Sequence, residues 1–234
     1  MQLFFNPHIN PETKEILFSK EESRHIIKVL RKKQGDILHI TNGNGYLFSA
    51  EIIIESDKKC VAKIIGAEFK EKDWNYYLHV AIAPTKNIDR LEWFIEKATE
   101  IGIDEITPLL CDNSERKVIK FERLEKIMLS AAKQSLKFNA PKLNGLTKFK
   151  DFLHSNKEGN LLIAHCYDGV KTPLKSFEFK EDRITILIGP EGDFSQKEVE
   201  EAVQAKFIPI TLGKSRLRTE TAGLVAVHSI NFLN

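Results

Sequence analysis

The sequence predicts an α/β protein in two parts, a small N-terminal β-barrel followed by a larger domain with a mainly parallel sheet. Short β-type runs and one helix occupy the first seventy residues, and apolar strands alternate with amphipathic helices from residue 76 onward. A polar joint, EKDWN, separates the two patterns. We therefore place one domain over residues 1–73 and the other over residues 74–234.

The N-terminal domain is predicted from four β-type runs and a helix. The runs are LFF, ILHIT, YLFSAEIII and CVAKIIGAEF. NGNG lies between the second and third runs and favours a tight hairpin, because its residues tolerate positive φ. A helix over residues 19–30 places Ile26, Ile27 and Leu30 on one side. This pattern fits a small barrel of the PUA or OB type, a class that often binds nucleic acid.

The C-terminal domain is predicted from a regular alternation of strands and helices. Strands are expected at YLHVAIA, EITPLL, NLLIAHC, ITILIG and FIPITL. Helices are expected over residues 87–101, 121–137, 195–205 and 221–233. The first helix repeats apolar residues at the 3.6-residue period, and Gly102 is placed to end it.

Composition excludes several classes of protein. Hydrophobic residues make up 42% and charged residues 29% of the chain, which is ordinary for a folded globular protein. No apolar run approaches the roughly 18 residues of a membrane span, and the first residues do not resemble a secretion signal, so we expect a cytoplasmic protein. Three widely spaced cysteines without a CxxC pair predict neither a disulfide framework nor a metal site.

The distribution of charge is more informative than the net charge of +2. Five basic residues and no acidic residue lie between Arg24 and Lys33. Such a patch can neutralise phosphates, although a solvated helix face is the alternative interpretation.

The first candidate ligand site follows ITILIG, an apolar run typical of a strand buried on both faces. The run leads into Gly189, Pro190, Glu191 and Gly192, a turn with little side-chain bulk that backbone groups can use to approach a ligand. In open α/β sheets ligands bind outside the carboxyl ends of strands, which is where this loop is expected. A purely structural strand-to-helix turn is the alternative.

The second candidate is the charged loop LGKSRLRTETA, which follows FIPITL. Its GKS triplet is not a P-loop, because that motif needs a glycine where this chain has Ile208. No GxGxxG follows a strand and opens a helix, so the usual dinucleotide fingerprint is absent as well. Taken alone, the loop could be a solvated surface.

Together, GPEGDFS and LGKSRLRTETA resemble the signature of the SPOUT methyltransferases. More narrowly, the chain resembles the bacterial family that methylates N3 of a uridine in 16S ribosomal RNA of the small subunit. The resemblance extends over nearly the whole chain, including SRHIIKVLRKKQGD, KNIDRLEWFIEKATEIGIDEITPLL and AAKQSLKFNAP.

The resemblance implies a C-terminal trefoil knot, an exception to the rule that chains do not thread loops, and an obligate homodimer. It also implies that S-adenosylmethionine is held by three loops. The implied cofactor-binding positions are Ile163, Ala164, His165, Gly189, Pro190, Glu191, Gly192, Leu212, Gly213, Ser215, Leu217 and Arg218.

The chain departs from the family pattern at a few positions. Asp193 stands where a second glycine is common, and Ser215 with Arg216 replaces a frequent Arg-Ile pair. Lys137 keeps the charge of a frequent arginine but loses its planar bidentate donor.

The expected mechanism follows from the nucleophile. Uridine N3 is a poor nucleophile while protonated, so we expect Arg218 to orient the base and stabilise developing charge, and Glu191 or Glu220 to assist proton removal. The structural alternatives are that Glu191 accepts backbone hydrogen bonds and that Arg218 pairs with Glu220 across a dimer.

The substrate is expected to be small-subunit ribosomal RNA, either naked or within the assembled 30S particle. Contacts to its phosphates are assigned to Arg24, Lys28, Arg31 and Lys32, which would position the RNA without specifying its sequence. Two competing functions remain at this point, a SPOUT enzyme acting on ribose 2′-oxygen and a non-catalytic RNA-binding protein of ribosome assembly.

Overall fold

Two compact units make up the chain. The computed structural model describes residues 1–155 and 158–233. One unit comprises Met1–Asp73 with Ala132–Ala140, and the other comprises Trp74–Ala131 with Pro141–Asn234. The fold class expected from the sequence, a small β domain followed by an α/β domain with a parallel sheet, is confirmed.

The first unit is a curled five-stranded sheet around its own apolar core. Its strands are β1 (Leu3–Phe5), β2 (Glu15–Leu17), β3 (Ile37–Thr41), β4 (Tyr46–Ile54) and β5 (Val61–Phe69). The strands run in the order β1-β3-β4-β5-β2, with β1 parallel to β3 and the remaining pairs antiparallel. Ile40, Phe48 and Ile52 project inward with no exposed surface, as their alternation along β3 and β4 requires.

The hairpin between β3 and β4 forms at NGNG as predicted. Gly43 and Gly45 adopt positive φ values of 79° and 87°, and an added Cβ at either would approach an aromatic ring within 2.7 Å. The later segment Ala132–Ala140 binds this hairpin, because Gly45 N donates to Phe138 O at 2.9 Å and Ala140 N donates to Gly43 O at 2.9 Å. This long-range pairing was not predicted from the sequence.

The helix predicted over residues 19–30 is α-helical only in its first half. The α-helix α1 (Lys20–Arg24) is capped by Ser19, and a π-helical turn, His25–Val29, follows it. The wider turn is closed by Leu30 N donating to His25 O at 2.9 Å. It keeps Ile26 fully buried while Val29 is 64% exposed, so the two faces are less cleanly separated than a 3.6-residue period predicts.

The second unit is built on a parallel sheet covered by helices on both faces. Its strands are β6 (Tyr77–Ile82), β7 (Glu105–Leu110), β8 (Lys142–Leu143), β9 (Thr147–Lys148), β10 (Asn160–Ala164), β11 (Thr172–Pro173), β12 (Arg183–Ile188) and β13 (Ile208–Thr211). The order is β11-β13-β10-β12-β6-β7-β8, with β9 on β7, and each recorded pair is parallel.

The helices are α2 (Ile88–Ile101), α3 (Phe121–Gln134), α4 (Phe149–His154), α5 (Gln196–Gln204) and α6 (Thr219–Leu233). Successive side chains of β6 point to opposite faces, so Val80 packs in a core with residues of α2, α3 and α6, whereas Ala81 packs in another with residues of α4 and α5. A sheet buried on both sides explains the continuous apolar strands.

Candidate active site

Three loops at one edge of the parallel sheet surround a cleft of about 650 Å³. They follow β10, β12 and β13, which are neighbours in the sheet and run in the same direction. Their carboxyl ends therefore meet at one edge, the position at which open α/β sheets bind ligands. The loops are the ones identified in the sequence, and most of the predicted cofactor-binding positions line this cleft, which we call the cofactor cleft after that prediction.

The end of β10 and the loop after it contribute Ala164 and His165 to the cleft wall, whereas Ile163 is fully buried in the core beneath them. Burial lowers the pKa of His165, and the nearby Lys171 ammonium lowers it further while Asp193 opposes the shift. The His165 Nδ1 atom is buried and has no hydrogen-bond partner among residues 1–155 and 158–233. The imidazole therefore offers an unused polar atom at this wall.

Lys171 fixes the shape of that first loop, and sequence reasoning did not identify it. Its ammonium donates to the carbonyls of His165 at 3.2 Å and Tyr167 at 2.6 Å. A lysine inside an irregular segment carries no periodic signal, so nothing in the sequence distinguished it from surface lysines.

The loop after β12 contributes Gly189, Pro190 and Glu191, whereas Gly192 lies outside the cleft lining. An added Cβ at Gly192 would instead approach the Asn113 side chain at 3.2 Å. Asn113 Nδ2 donates to the carbonyl of Gly192 at 3.3 Å and so holds the turn from outside.

Asp193 connects this second loop to the first. Its backbone adopts φ of 64°, the left-handed region in which glycine is favoured, and this explains why a glycine is common here. Its carboxylate accepts a hydrogen bond from Cys166 N at 2.7 Å and another from Phe194 N at 2.8 Å. The aspartate thus supplies a contact between the loops that glycine lacks.

Glu191 has the backbone contact expected of its structural role. One carboxylate oxygen, Oε1, accepts from Lys86 N at 2.9 Å. Arg116 holds the same segment from another side, since its guanidinium donates to the carbonyls of Thr85 at 3.0 Å and Lys86 at 2.6 Å. Glu191 is only partly buried and also lines the cofactor cleft.

The loop after β13 forms the exposed wall of the cleft. Its predicted residues that line the cleft are Leu212, Gly213, Ser215, Leu217 and Arg218. Arg216, which with Ser215 departs from the family pattern, lines the cleft too. Thr219 joins this loop to the second one, because its buried hydroxyl donates to Gly189 O at 3.1 Å.

Glu220 lies away from the cleft wall, in the first turn of α6, which begins two residues earlier than the sequence predicted. The residue is 7% exposed, and its Oε1 atom is 3.8 Å from the Nε atom of Arg90. Its Oε2 atom is buried without a hydrogen-bond partner in the described part of the chain.

Comparison with known proteins identifies the family. Residues 72–231 match the model of a family described as an RNA methyltransferase domain, and residues 18–65 match an RNA methyltransferase PUA domain. The first match spans more than half of the chain. This chain belongs to the RNA methyltransferase family. The resemblance that the two signature loops indicated is thereby confirmed.

Relatives of this RNA methyltransferase extend over nearly its whole length. The ribosomal RNA small subunit methyltransferase E of Buchnera aphidicola subsp. Acyrthosiphon pisum is 32% identical over 92% of this chain and 87% of its own. The protein of the same name from Bacillus subtilis is 27% identical over 91% of this chain and 88% of its own.

Solved structures agree with the fold of this RNA methyltransferase. The probable rRNA-methyltransferase of Porphyromonas gingivalis is 39% identical, with a TM-score of 0.91 over 100% of this chain and 98% of the other. A Legionella pneumophila protein in complex with the bound cofactor SAM is 26% identical, with a TM-score of 0.86 over 98% of this chain and 96% of the other.

The basic residues assigned to RNA lie in the first unit of the RNA methyltransferase. Arg24 ends α1, Lys28 lies in the π-helical turn, and Arg31 follows it with a positive φ of 54°. These three are exposed, while Lys32 is partly buried. Lys28 is partly neutralised by Asp57, whose carboxylate is 3.7 Å from the ammonium.

No helix in the described part of this RNA methyltransferase is long and apolar enough to cross a membrane. The same residues contain no group of three or more histidine, cysteine or acidic side chains arranged to hold a metal ion.

Proposed function

We propose that this RNA methyltransferase transfers a methyl group from S-adenosylmethionine to N3 of a uridine in 16S ribosomal RNA. The observation that carries the proposal is the cofactor cleft: all the cofactor-binding positions implied by the family resemblance except Ile163 and Gly192 line it. The names of the relatives in Buchnera and Bacillus support the small-subunit RNA as substrate. The SAM complex of the Legionella protein supports the cofactor.

The residues of the cleft fit this cofactor. A volume of about 650 Å³ is within the range of about 300–1,000 Å³ common for small-molecule sites. Ala164, Leu212 and Ala222 are partly exposed and provide apolar surface for an adenine ring, and the unpartnered His165 Nδ1 provides a polar contact. The bound cofactor would supply an electrophilic methyl group on its sulfonium.

The protein's own groups would then act on the base. In the proposal Arg218, exposed at the cleft wall, orients the uracil and stabilises the anion formed when N3 loses its proton. Of the two carboxylates considered for proton removal, Glu191 lines the cleft and Glu220 does not. We therefore assign removal of the N3 proton to Glu191. Positioning of the base and the cofactor relative to each other accounts for much of the expected rate.

RNA binding is assigned to the first unit, through Arg24, Lys28, Arg31 and Lys32. The match of residues 18–65 to a PUA domain of RNA methyltransferases supports this assignment. Reversing the charge at Arg24 and Arg31 should lower RNA affinity and reduce the dependence of log K on log salt by about 2. Reversal at the exposed Lys58 and Lys59 is the matched control, and equal effects of the two double variants would contradict the assignment.

The assembly is proposed from the family resemblance. We expect a homodimer in the cytoplasm, with a trefoil knot around the cofactor cleft and the assembled 30S particle as a substrate alongside naked RNA. The sheet order supports the knot, since β10 lies between β12 and β13 and the chain must cross it to pass from one to the other.

The test is nucleoside mass spectrometry of small ribosomal subunits from cells that lack this gene, after incubation with the purified protein and labelled S-adenosylmethionine. Label in N3-methyluridine is the expected result. Label in a 2′-O-methyl nucleoside would keep the enzyme class and overturn the modified atom. No label despite measured cofactor binding would overturn the substrate.

A further inference from the structure

A second cavity, of about 390 Å³, lies beside the cofactor cleft. Its lining consists of Lys86, Asn87, Arg90, Glu115 and Glu191. Glu191 lines both cavities, so a molecule in one and a molecule in the other would meet at this carboxylate. We call the second cavity the Arg90 pocket.

Arg90 supplies the guanidinium of the pocket, and most of the N–H donors of this group have no partner in the described part of the chain. It lies in the first turn of α2, and its side chain is 38% exposed. Among residues 1–155 and 158–233, the only polar partner of the guanidinium is Glu220, and 3.8 Å is too long for a hydrogen bond. A guanidinium carries five N–H donors in a planar fork, so Arg90 can donate to a ligand without losing a contact within the protein.

Glu220 accounts for the position of Arg90. Its carboxylate is 91% buried, and such a charge is costly without a partner of opposite sign. The attraction between Glu220 and Arg90 therefore draws the guanidinium toward the start of α6. This gives the buried acid a positioning role, which the sequence pattern did not separate from a catalytic one.

The other groups of the pocket are fixed as well. Lys86 is held at its backbone by Glu191 and Arg116, and its ammonium pairs with Glu115 at 2.8 Å. The pocket thus contains two cations, Arg90 and Lys86, and two carboxylates, of which Glu115 pairs with Lys86 and Glu191 offers acceptor oxygens.

This combination is complementary to one nucleobase edge. Uracil presents O2, N3–H and O4, which are an acceptor, a donor and an acceptor, so it needs donors on either side of an acceptor. Cytosine presents an amino group in place of O4 and no N3–H, so its edge would place a donor against a cation. Loss of the N3 proton places negative charge on O2 and O4, where a guanidinium stabilises it.

We propose that the Arg90 pocket binds the uracil of the target nucleotide, with Arg90 recognising the base in addition to Arg218 and Glu220 acting as the positioning residue of Arg90. The proposal rests on the proposed function, because it places the methyl acceptor next to the carboxylate that faces the methyl donor. It adds a uridine-selecting residue from a different part of the chain than the signature loops.

The first test compares Arg90→Lys with Arg123→Lys. Both replacements keep the charge beside an acidic partner and remove the planar fork; Arg123 pairs with Glu92 and lines neither of the two cavities. Arg90→Lys should lower kcat/KM for methylation of small subunits by on the order of ten- to hundredfold and leave the Kd for S-adenosylmethionine within about twofold. Arg123→Lys should match the wild type in both.

Equal kcat/KM in the two variants would overturn the pocket assignment, as would a parallel loss of cofactor affinity in Arg90→Lys. A second measurement does not depend on methyl transfer. Saturation-transfer NMR should detect UMP more strongly than CMP on the wild-type protein, and Arg90→Gln should remove that preference.

The two measurements distinguish the two proposals. A wild-type protein that prefers UMP but methylates no uridine would overturn the proposed function and support the pocket. A protein that methylates uridine N3 but shows no preference for UMP would overturn the pocket and support the function.

Discussion

Asp193 shows how one side chain can replace the conformational freedom of glycine. The left-handed backbone at this position costs an L-residue about 1–2 kcal/mol, which glycine avoids. In return the carboxylate accepts hydrogen bonds from Cys166 N and Phe194 N, and charged acceptors of this kind contribute about 1.5–3 kcal/mol each. The departure from the family pattern therefore tightens the junction between two loops of the cleft.

Two variants of Asp193 separate these effects. Asp193→Ala keeps the backbone strain and loses both hydrogen bonds, whereas Asp193→Gly loses the hydrogen bonds but relieves the strain. We expect both to weaken S-adenosylmethionine binding about tenfold, with Asp193→Gly more stable than Asp193→Ala by about 1 kcal/mol. Calorimetric titration and urea unfolding measure the two quantities. A cofactor affinity equal to that of the wild type in both variants would exclude a role for the carboxylate.

Glu105 lies in a buried polar network at the end of the parallel sheet that is opposite the cofactor cleft. Burial raises its pKa, but a hydrogen bond from Asn144, the charge of His79 and hydrogen bonds from Tyr77 and Lys142 together lower it to about 2. Asn144 donates to it at 2.7 Å and Tyr77 at 2.8 Å. The folded protein therefore favours the ionised carboxylate more than the unfolded chain does.

The stability should depend on pH accordingly. Because the folded-state pKa lies below the ordinary value of 4.5, the stabilisation is fully present above about pH 5 and is lost as the pH falls toward 2. The lowered pKa corresponds to about 3 kcal/mol. Urea unfolding between pH 7 and pH 3 should show a smaller acid loss for Glu105→Gln than for the wild type. The exposed Glu200→Gln is the control, and the same pH dependence in all three proteins would refute the argument.

At the scale of elements, the contact between α2 and α6 depends on Gly223. A Cβ at this position would lie 2.7 Å from the Phe94 ring and 2.8 Å from Ile82. In an open helix Gly→Ala would stabilise by about 1 kcal/mol, but overpacking a core costs about 1–3 kcal/mol. We expect Gly223→Ala to lower the free energy of unfolding, measured in urea. Gly145→Ala is the control, because its added Cβ would meet nothing within 4 Å, and it should not lower the free energy of unfolding. A stabilised Gly223→Ala variant would mean that α2 and α6 move apart freely.

Elements with a long regular pattern were predictable, and short or long-range features were not. β12 was expected at ITILIG and forms over Arg183–Ile188, because a strand buried on both faces needs a nearly continuous apolar run. By contrast, α4 is six residues long and β8 is two, too short for any period to emerge. The pairing of Ala132–Ala140 with the NGNG hairpin depends on contacts between residues distant in sequence, and local sequence patterns do not reveal such contacts.

The candidate site was predictable to a similar extent. The glycine-rich and charged loops were identified because strand ends and unusual loop composition are local signals. Arg90 and Lys171 were not identified, since each lies in a segment with an ordinary pattern and acquires its role only when the fold brings it to a cavity.

At the scale of the whole molecule, the proposed homodimer needs an apolar surface that a second copy of the chain can cover, and α6 offers one. The last turn of α6 leaves Phe232 81% exposed and Leu233 42% exposed, while Leu224 and Val225 are only partly buried. Exposed apolar side chains grouped along one helix are typical of an interface. A second copy of the chain would remove them from water.

Sedimentation equilibrium should therefore give twice the mass of the 26.8-kDa chain. Phe232→Glu places a charge where the interface is expected, and the dissociation constant of the dimer should rise at least tenfold, because a central aromatic residue commonly contributes 2 kcal/mol or more. Phe69→Glu is the control, since this phenylalanine is 56% exposed but lies in the other unit. A monomeric wild type would contradict the dimer itself, whereas equal dissociation constants for the two variants would retain the dimer and place its interface away from the end of α6.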